Sequence, residues 1–211
     1  MILSLIGMAG SGKSYWSMKL AEHGFRRFCC DDLIAARLGA ALTRPDGSIS
    51  DMSEWMGFPY ESRYKNRESE YLNHEIEVLA EILGYLEGIR DRVENIVVDT
   101  TGSVIYTGAE MLERLNRYTT VVYLATPPEV RVELFKTYLN QPHPMLWRDV
   151  FHRKSHETNE DALTRCFPLL VSARERLYEQ YAEVTIGYFK RRTEGFGVQE
   201  FLHEVSRAKG S

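Results

Sequence analysis

The stretch Gly7-Met8-Ala9-Gly10-Ser11-Gly12-Lys13-Ser14 constrains this chain more than any other. It matches the pattern G-x-x-x-x-G-K-[ST] at every position. Its glycines let the backbone turn sharply, so that successive N–H groups point inward as an anion nest. A helix that follows aims its positive end at the same point. Lys13 is then placed to reach the β- and γ-phosphates of a nucleoside triphosphate, and Ser14 to ligate Mg²⁺. The apolar run Ile2 to Ile6 just before it reads as a buried parallel strand. The motif therefore sits where a strand hands over to a helix. The expectation is a P-loop for ATP and Mg²⁺ built from all eight residues, Gly7 to Ser14.

The rest of the chain keeps the same alternation. Helices are expected over 14–23, 31–38, 60–90, 108–117, 128–139, 162–182 (entered late or broken at Pro168) and 198–207. Strands are expected over 25–30, 96–98, 120–125 and 184–186. Gly24 and Gly39 mark helix ends, and Pro128 is well placed in a first helical turn. Residues 40–50 read as a loop. Residues 141–160 are polar, contain Pro142 and Pro144, and read as a loop or mobile lid. Strands alternating with helices predict an α/β fold of three layers, a parallel sheet with helices on both faces. At 211 residues the chain suits a single domain, 1–211.

Composition narrows the partners. A formal net charge of −4 argues against nucleic acid, which asks for a basic face. The short basic neighbourhood from Arg148 to Lys154 reads as a solvated loop. No run of about 18 apolar residues is present, so no membrane partner is expected. The three cysteines Cys29, Cys30 and Cys166 are odd in number, irregularly spaced and preceded by nothing like a signal peptide. A reducing, cytoplasmic setting is expected. Cys29 and Cys30 read as strand filling, His143, His152 and His156 as solvated, and Trp16, Trp55 and Trp147 as packing residues.

Two further carboxylate positions bear on chemistry. Asp99 ends the apolar run Ile96-Val97-Val98, where an acid would hold Mg²⁺ or its water. Asp31 and Asp32 close the second strand at the sheet edge where ligands bind in such folds. Asp31 is expected to orient an acceptor hydroxyl for attack. Asp32 is expected to cap the next helix or to lie in solvent.

Beyond these motifs the chain resembles shikimate kinase, within the nucleoside-monophosphate-kinase-like group of P-loop proteins. The resemblance is carried by the P-loop, by Asp31 to Gly39, by Ser48-Ile49-Ser50-Asp51, and by Tyr64-Lys65, Glu68 and Leu72. It continues through Val121 to Val130 and Arg174, Leu177, Tyr178 and Ala182. It implies a five-stranded parallel sheet, a substrate-binding region near 31–75 and a lid near 141–160. It also implies that Asp31 meets the acceptor hydroxyls and that Arg63, Lys65 or Arg67 pairs with a substrate carboxylate. Arg174 would do the same from the other side, Gly102 would let the backbone approach the substrate, and Thr101 adds bulk and a hydroxyl where the substrate should lie.

The chain departs from the family pattern at four places. The Asp-x-Asp pair becomes Cys29-Cys30-Asp31, and Asp99 is expected to take over the lost metal role. The triple glycine becomes Thr100-Thr101-Gly102. The lid Arg-Pro-Leu-Leu becomes His143-Pro144-Met145-Leu146. The helix arginine becomes Lys65, which lacks a bidentate fork.

The expected activity is ATP-dependent phosphoryl transfer to shikimate or a related small hydroxylated molecule, by a monomer or small homo-oligomer. Lys13, Asp31 and Arg174 are the expected catalytic groups, and Ser14 and Asp99 the expected metal ligands. The alternatives are another acceptor on the same fold, such as gluconate or a nucleoside monophosphate, or a nucleotide-binding regulator with little turnover.

Overall fold

The computed structural model describes residues 1–89 and 93–209. Five strands, β1 (Ile2–Ile6), β2 (Arg26–Cys29), β3 (Ile96–Asp99), β4 (Thr120–Leu124) and β5 (Val184–Ile186), form one sheet. Their order is β2-β3-β1-β4-β5, and every pairing is parallel. β1 is central, and the loop after it opens at the carboxyl edge of the sheet with β3 on one side and β4 on the other. In such folds ligands bind at that edge.

β3 and β4 are buried at every residue, because helices cover both faces. Alternation along the strands divides the core in two. Leu3, Leu5, Val97, Val122 and Leu124 face α1 (Lys13–Glu22) and α8 (Val198–Lys209) through Trp16, Leu20, Phe201 and Val205. Ile96, Val98, Val121 and Tyr123 face the larger side, built by α2 (Cys30–Leu38), α4 (Tyr64–Gly88), α5 (Ala109–Tyr118) and α7 (Asn159–Tyr181).

Most boundaries fall within two or three residues of the expected ones. The helix expected over 60–90 begins instead at Tyr64, and its expected end at Arg90 lies outside the described residues. A short helix that periodicity does not signal, α3 (Met52–Met56), precedes it. Asp51 caps α3 by accepting from Ser53 N at 2.7 Å. α7 begins before the expected 162 because Thr158 and Asp161 form a reciprocal capping box. It then runs straight through Pro168.

α6 (Pro128–Asn140) leads into the expected lid, which is not one uniform loop. Met145, Leu146 and Trp147 are buried in the larger core. Trp147 Nε1 donates to Tyr138 Oη at 3.2 Å, and Trp147 N donates to Tyr64 Oη at 2.7 Å. The next residue, Arg148, has a left-handed backbone (φ 51°), and its N–H is held by Glu68 Oε1 at 2.7 Å. The longest exposed run of the segment lies at 152–156.

Candidate active site at the carboxyl edge of the sheet

The loop of residues 7–14 turns as its glycines dictate. Gly7 has φ +141°, and a Cβ there would lie 2.9 Å from the Leu124 carbonyl. α1 then starts at Lys13 with Gly12 as its cap residue, which has no side chain to occupy the first amides. Lys13 folds back over the loop. Its ammonium donates to the carbonyls of Gly7 at 2.9 Å and Met8 at 3.1 Å, and it is 7% exposed. Burial lowers its pKa, while Asp99 and Asp31 pull the other way. A desolvated cation with only neutral oxygens as hydrogen-bond partners is poised for an anion.

A cavity of about 380 Å³ opens beside this loop. Lys13, Ser14, Asp31, Tyr71, Thr101 and His143 are among its walls. Asp31 comes from the first turn of α2, where β2 ends. Tyr71, on α4, donates to Asp31 Oδ1 at 3.0 Å. Burial raises the Asp31 pKa, opposed by nearby Lys13 and the Tyr71 bond. Asp32 is exposed and faces Arg27 at 3.9 Å, outside the cavity walls.

Asp99 ends β3 opposite Cys29 of β2, so a carboxylate stands one strand away from the position the cysteine fills. Its Oδ2 accepts from Arg27 Nη2 at 2.6 Å. Ser17 Oγ sits 2.8 Å from that oxygen and 3.1 Å from the Ser14 carbonyl. Asp99 is thus tied to the start of α1 through Ser17, behind Ser14.

Thr101 and Gly102 follow β3 directly. A Cβ on Gly102 would meet Ala9 N at 3.2 Å and Arg174 Nη1 at 3.3 Å, so this position must stay small. Sequence reasoning passed over the partner of Thr101, Glu75. This α4 residue is 2% exposed and accepts from Thr101 Oγ1 and, at 2.7 Å, from Ser103 Oγ. Burial lifts its pKa to about 7, against the two hydroxyls that favour the carboxylate. The available signal was an acid on the inward stripe of an amphipathic helix, one turn from Tyr71.

This burial carries a pH consequence. The ordinary glutamate value is near 4.5, so the folded chain holds this proton more tightly than the unfolded one. The stability it contributes is full below that value and is lost as pH rises through about 7. Glu75→Gln should therefore flatten the fall in stability between about pH 5 and pH 8 by roughly 2 kcal/mol, measured by urea unfolding at both. Parallel pH profiles for the two proteins would contradict the assignment.

The basic residues expected at the acceptor stand elsewhere. Arg63 lines a neighbouring cavity, pairs with Glu61 at 2.9 Å and donates to the Glu54 carbonyl. Lys65 is exposed. Arg67 lies over the Trp55 ring and donates to its carbonyl. All three lie at the start of α4, and none of them lines the cavity beside the loop of residues 7–14. Arg174 is 2% exposed and sits beneath Gly102, not in the cavity wall. It donates to the Gly102 carbonyl at 3.0 Å and the Leu146 carbonyl at 2.6 Å, and its Nε has no hydrogen-bond partner among the described residues. His143, expected in solvent, is half-buried in the cavity wall. Burial and nearby Arg174 push its pKa down to about 4.

A second residue missed from sequence is Arg191, in the one-turn helix after β5. It is 5% exposed and donates to the carbonyls of Ile186, Ser11 and Ala125. It thereby ties the phosphate-type loop to the ends of β4 and β5. A cleft of about 360 Å³ opens beside it, lined by Tyr15, Trp16, Arg192 and Phe196.

No protein-family model matches the chain, and no curated protein does. Solved structures match along its whole length. A shikimate kinase from Acinetobacter baumannii in complex with shikimate superposes with a TM-score of 0.63 at 23% identity, covering 100% of this chain and 95% of that one. A shikimate kinase from Bacteroides thetaiotaomicron gives 0.56 at 17%, covering 100% and 97%. The fold is that of a shikimate-kinase-like P-loop kinase. A dephospho-CoA kinase from Campylobacter jejuni, at 0.51 and 14% identity over 99% and 94%, extends the likeness to kinases with a different acceptor. In this P-loop kinase fold, the sheet order and the loop after the central strand account for where Lys13, Asp31 and Asp99 converge.

Proposed function

We propose that this chain is an ATP-dependent kinase for a small hydroxylated molecule, with Lys13, Ser14 and the loop amides as its phosphate site. The observation that carries this reading is the buried Lys13 ammonium at the cavity edge, hydrogen-bonded among the described residues to the Gly7 and Met8 carbonyls alone. The γ-phosphate would supply the missing negative charge. The cleft beside Tyr15 and Arg192 opens on the other side of Gly12 from Asp31 and suits the nucleoside.

The remaining cavity holds the acceptor. Asp31 accepts a hydrogen bond from the acceptor hydroxyl and aims its oxygen at the γ-phosphorus. As the new O–P bond forms, the bond to the β,γ-bridging oxygen breaks and ADP leaves. The hydroxyl proton passes to Asp31, whose burial-raised pKa suits it to receive one. Lys13 and the loop amides hold the charge on the transferring group.

Mg²⁺ fits the residues present. Ser14 offers an open hydroxyl on the cavity wall, and Asp99 stands behind it through Ser17. When bound, the ion neutralises phosphate charge. Asp99, tied to the Ser14 turn through Ser17, would help hold the ion or its water there. Asp99→Asn should weaken Mg-ATP binding by about ten- to a hundred-fold, in line with losses at supporting positions around metals. Metal-free ATP should bind nearly as before. Titration calorimetry with and without Mg²⁺ separates the two, and equal weakening would remove Asp99 from the metal site.

The kinase reading is tested by product. Purified protein is incubated with Mg-ATP and a panel of hydroxylated compounds, with ADP followed continuously and products examined by mass spectrometry. A phosphorylated acceptor that requires Mg-ATP supports the reading. Tight ATP binding with no phosphorylated product from any compound would sink it.

A further inference from the structure

The hydrogen-bond polarity of the acceptor wall, taken with the kinase reading on which it rests, carries a statement about the substrate. Besides His143, three polar side chains line the cavity outside the phosphate loop and α1: Asp31, Tyr71 and Thr101. The Tyr71 proton is committed to Asp31 at 3.0 Å. With Glu75 ionised, the Thr101 hydroxyl donates to it, and the Thr101 oxygen also accepts from Ser103 N at 3.0 Å. The Ser103 proton goes to Glu75 as well, at 2.7 Å. What these three side chains keep free is lone pairs, on the Asp31 carboxylate, the Tyr71 oxygen and the Thr101 oxygen.

The charges point the same way. Lys13 belongs to the phosphate site. Arg174 is beneath Gly102 with both terminal nitrogens on carbonyls. Arg63, Lys65 and Arg67 stand outside this cavity. His143 is held neutral by burial and by Arg174. On its far side a second cavity of about 440 Å³ is lined by Asp51, Glu54 and Glu61, with Arg63 already paired to Glu61. A carboxylate on the acceptor would face lone pairs and buried acids with no side-chain cation to meet it, an unfavourable arrangement in a desolvated site.

We infer that the acceptor is a donor-rich molecule without a carboxylate, a neutral or amine-bearing polyol, which separates this site from hydroxy-acid kinases. Its hydroxyls or ammonium groups donate to Asp31, Tyr71 and Thr101, and one hydroxyl takes the phosphoryl group.

The experiment uses two matched series. Hydroxy acids (shikimate and gluconate) are set against neutral and aminated polyols of similar size (sorbitol, glucose, glucosamine and cyclic amino-polyols). Turnover with Mg-ATP and thermal stabilisation of the Mg-ADP form are measured for every member. The expected result is that the best carboxylate-free member exceeds the best hydroxy acid at least tenfold in kcat/KM. If nothing turns over, stabilisation of the Mg-ADP form by carboxylate-free members alone sustains this inference while the kinase reading falls. A hydroxy acid that matches or exceeds the polyols in either readout overturns it, and so does the absence of any response to both series. Asp31→Asn should reduce stabilisation by amine-bearing members more than by neutral ones, and an equal loss would leave the amine without its proposed partner.

Discussion

Replacing Lys13 with alanine should lower phosphoryl transfer by about a hundred- to a thousand-fold, the usual cost of removing one positioned group that stabilises developing charge. The same change should leave the nucleotide-free chain as stable as before or more so. Both expectations follow from one fact. The Lys13 ammonium is nearly excluded from solvent, its pKa is lowered by that burial, and its hydrogen-bond partners are the Gly7 and Met8 carbonyls. In the empty site the charge is a burden that two neutral oxygens only partly relieve. With a triphosphate bound it becomes the strongest feature of the loop. Rates of ADP release and urea unfolding of the nucleotide-free proteins check the two halves. Full activity in Lys13→Ala would mean that the loop does not do the chemistry.

Arg174→Ala should be the most destabilising single change in the site region, by about 3 kcal/mol. The guanidinium joins two loops by donating to the Gly102 and Leu146 carbonyls, and it lies over the Tyr106 ring. Tyr178 also donates to the Gly102 carbonyl, at 2.5 Å, so that oxygen keeps a partner. The Leu146 carbonyl loses the guanidinium bond inside a packed segment, and the deleted side chain leaves a void. Arg174→Lys should recover only part of the loss, since one ammonium cannot span the two carbonyls as a planar fork does. Urea unfolding of the three proteins is the measurement. A large fall in turnover with no loss of stability would instead place Arg174 on the acceptor, the role that the resemblance to shikimate kinase implies.

The sheet and its helices were legible because β1, β3, β4 and β5 are short and mostly apolar and end near a glycine, a proline or an acid, while β2 shows itself mainly by its flanks Gly24 and Asp31. Gly7 and Asp99 mark the two strand ends that matter most. The P-loop was legible because it is local: eight consecutive residues contain all of its chemistry. The acceptor side was less so, because it is assembled from α2, α4 and the loop after β3. Asp31 could be placed by its position at a strand end. Tyr71 and Glu75 look in sequence like ordinary members of a long helix, and only packing shows that they face Asp31 and Thr101. The arginines stand outside the cavity for the reverse reason. Arg63 and Arg67 sit near the family position in sequence, yet Glu61, the Glu54 carbonyl and Trp55 claim them locally. α3 escaped notice because a five-residue helix shows too little periodicity to read.

The anchoring of Met145, Leu146 and Trp147 bears on how the site responds to temperature. His143 and Pro144, which roof the cavity, are joined directly to these buried residues. The roof is therefore anchored on its C-terminal side. Widening the cavity means drawing Trp147 out of the core and breaking its bonds to Tyr138 and Tyr64. Such an opening is a local unfolding event with its own free energy, and unfolding steps carry large activation enthalpies. Entry of a bulky acceptor would therefore quicken on warming far more steeply than diffusion into an open cleft, and in the cold the roof itself would set the pace.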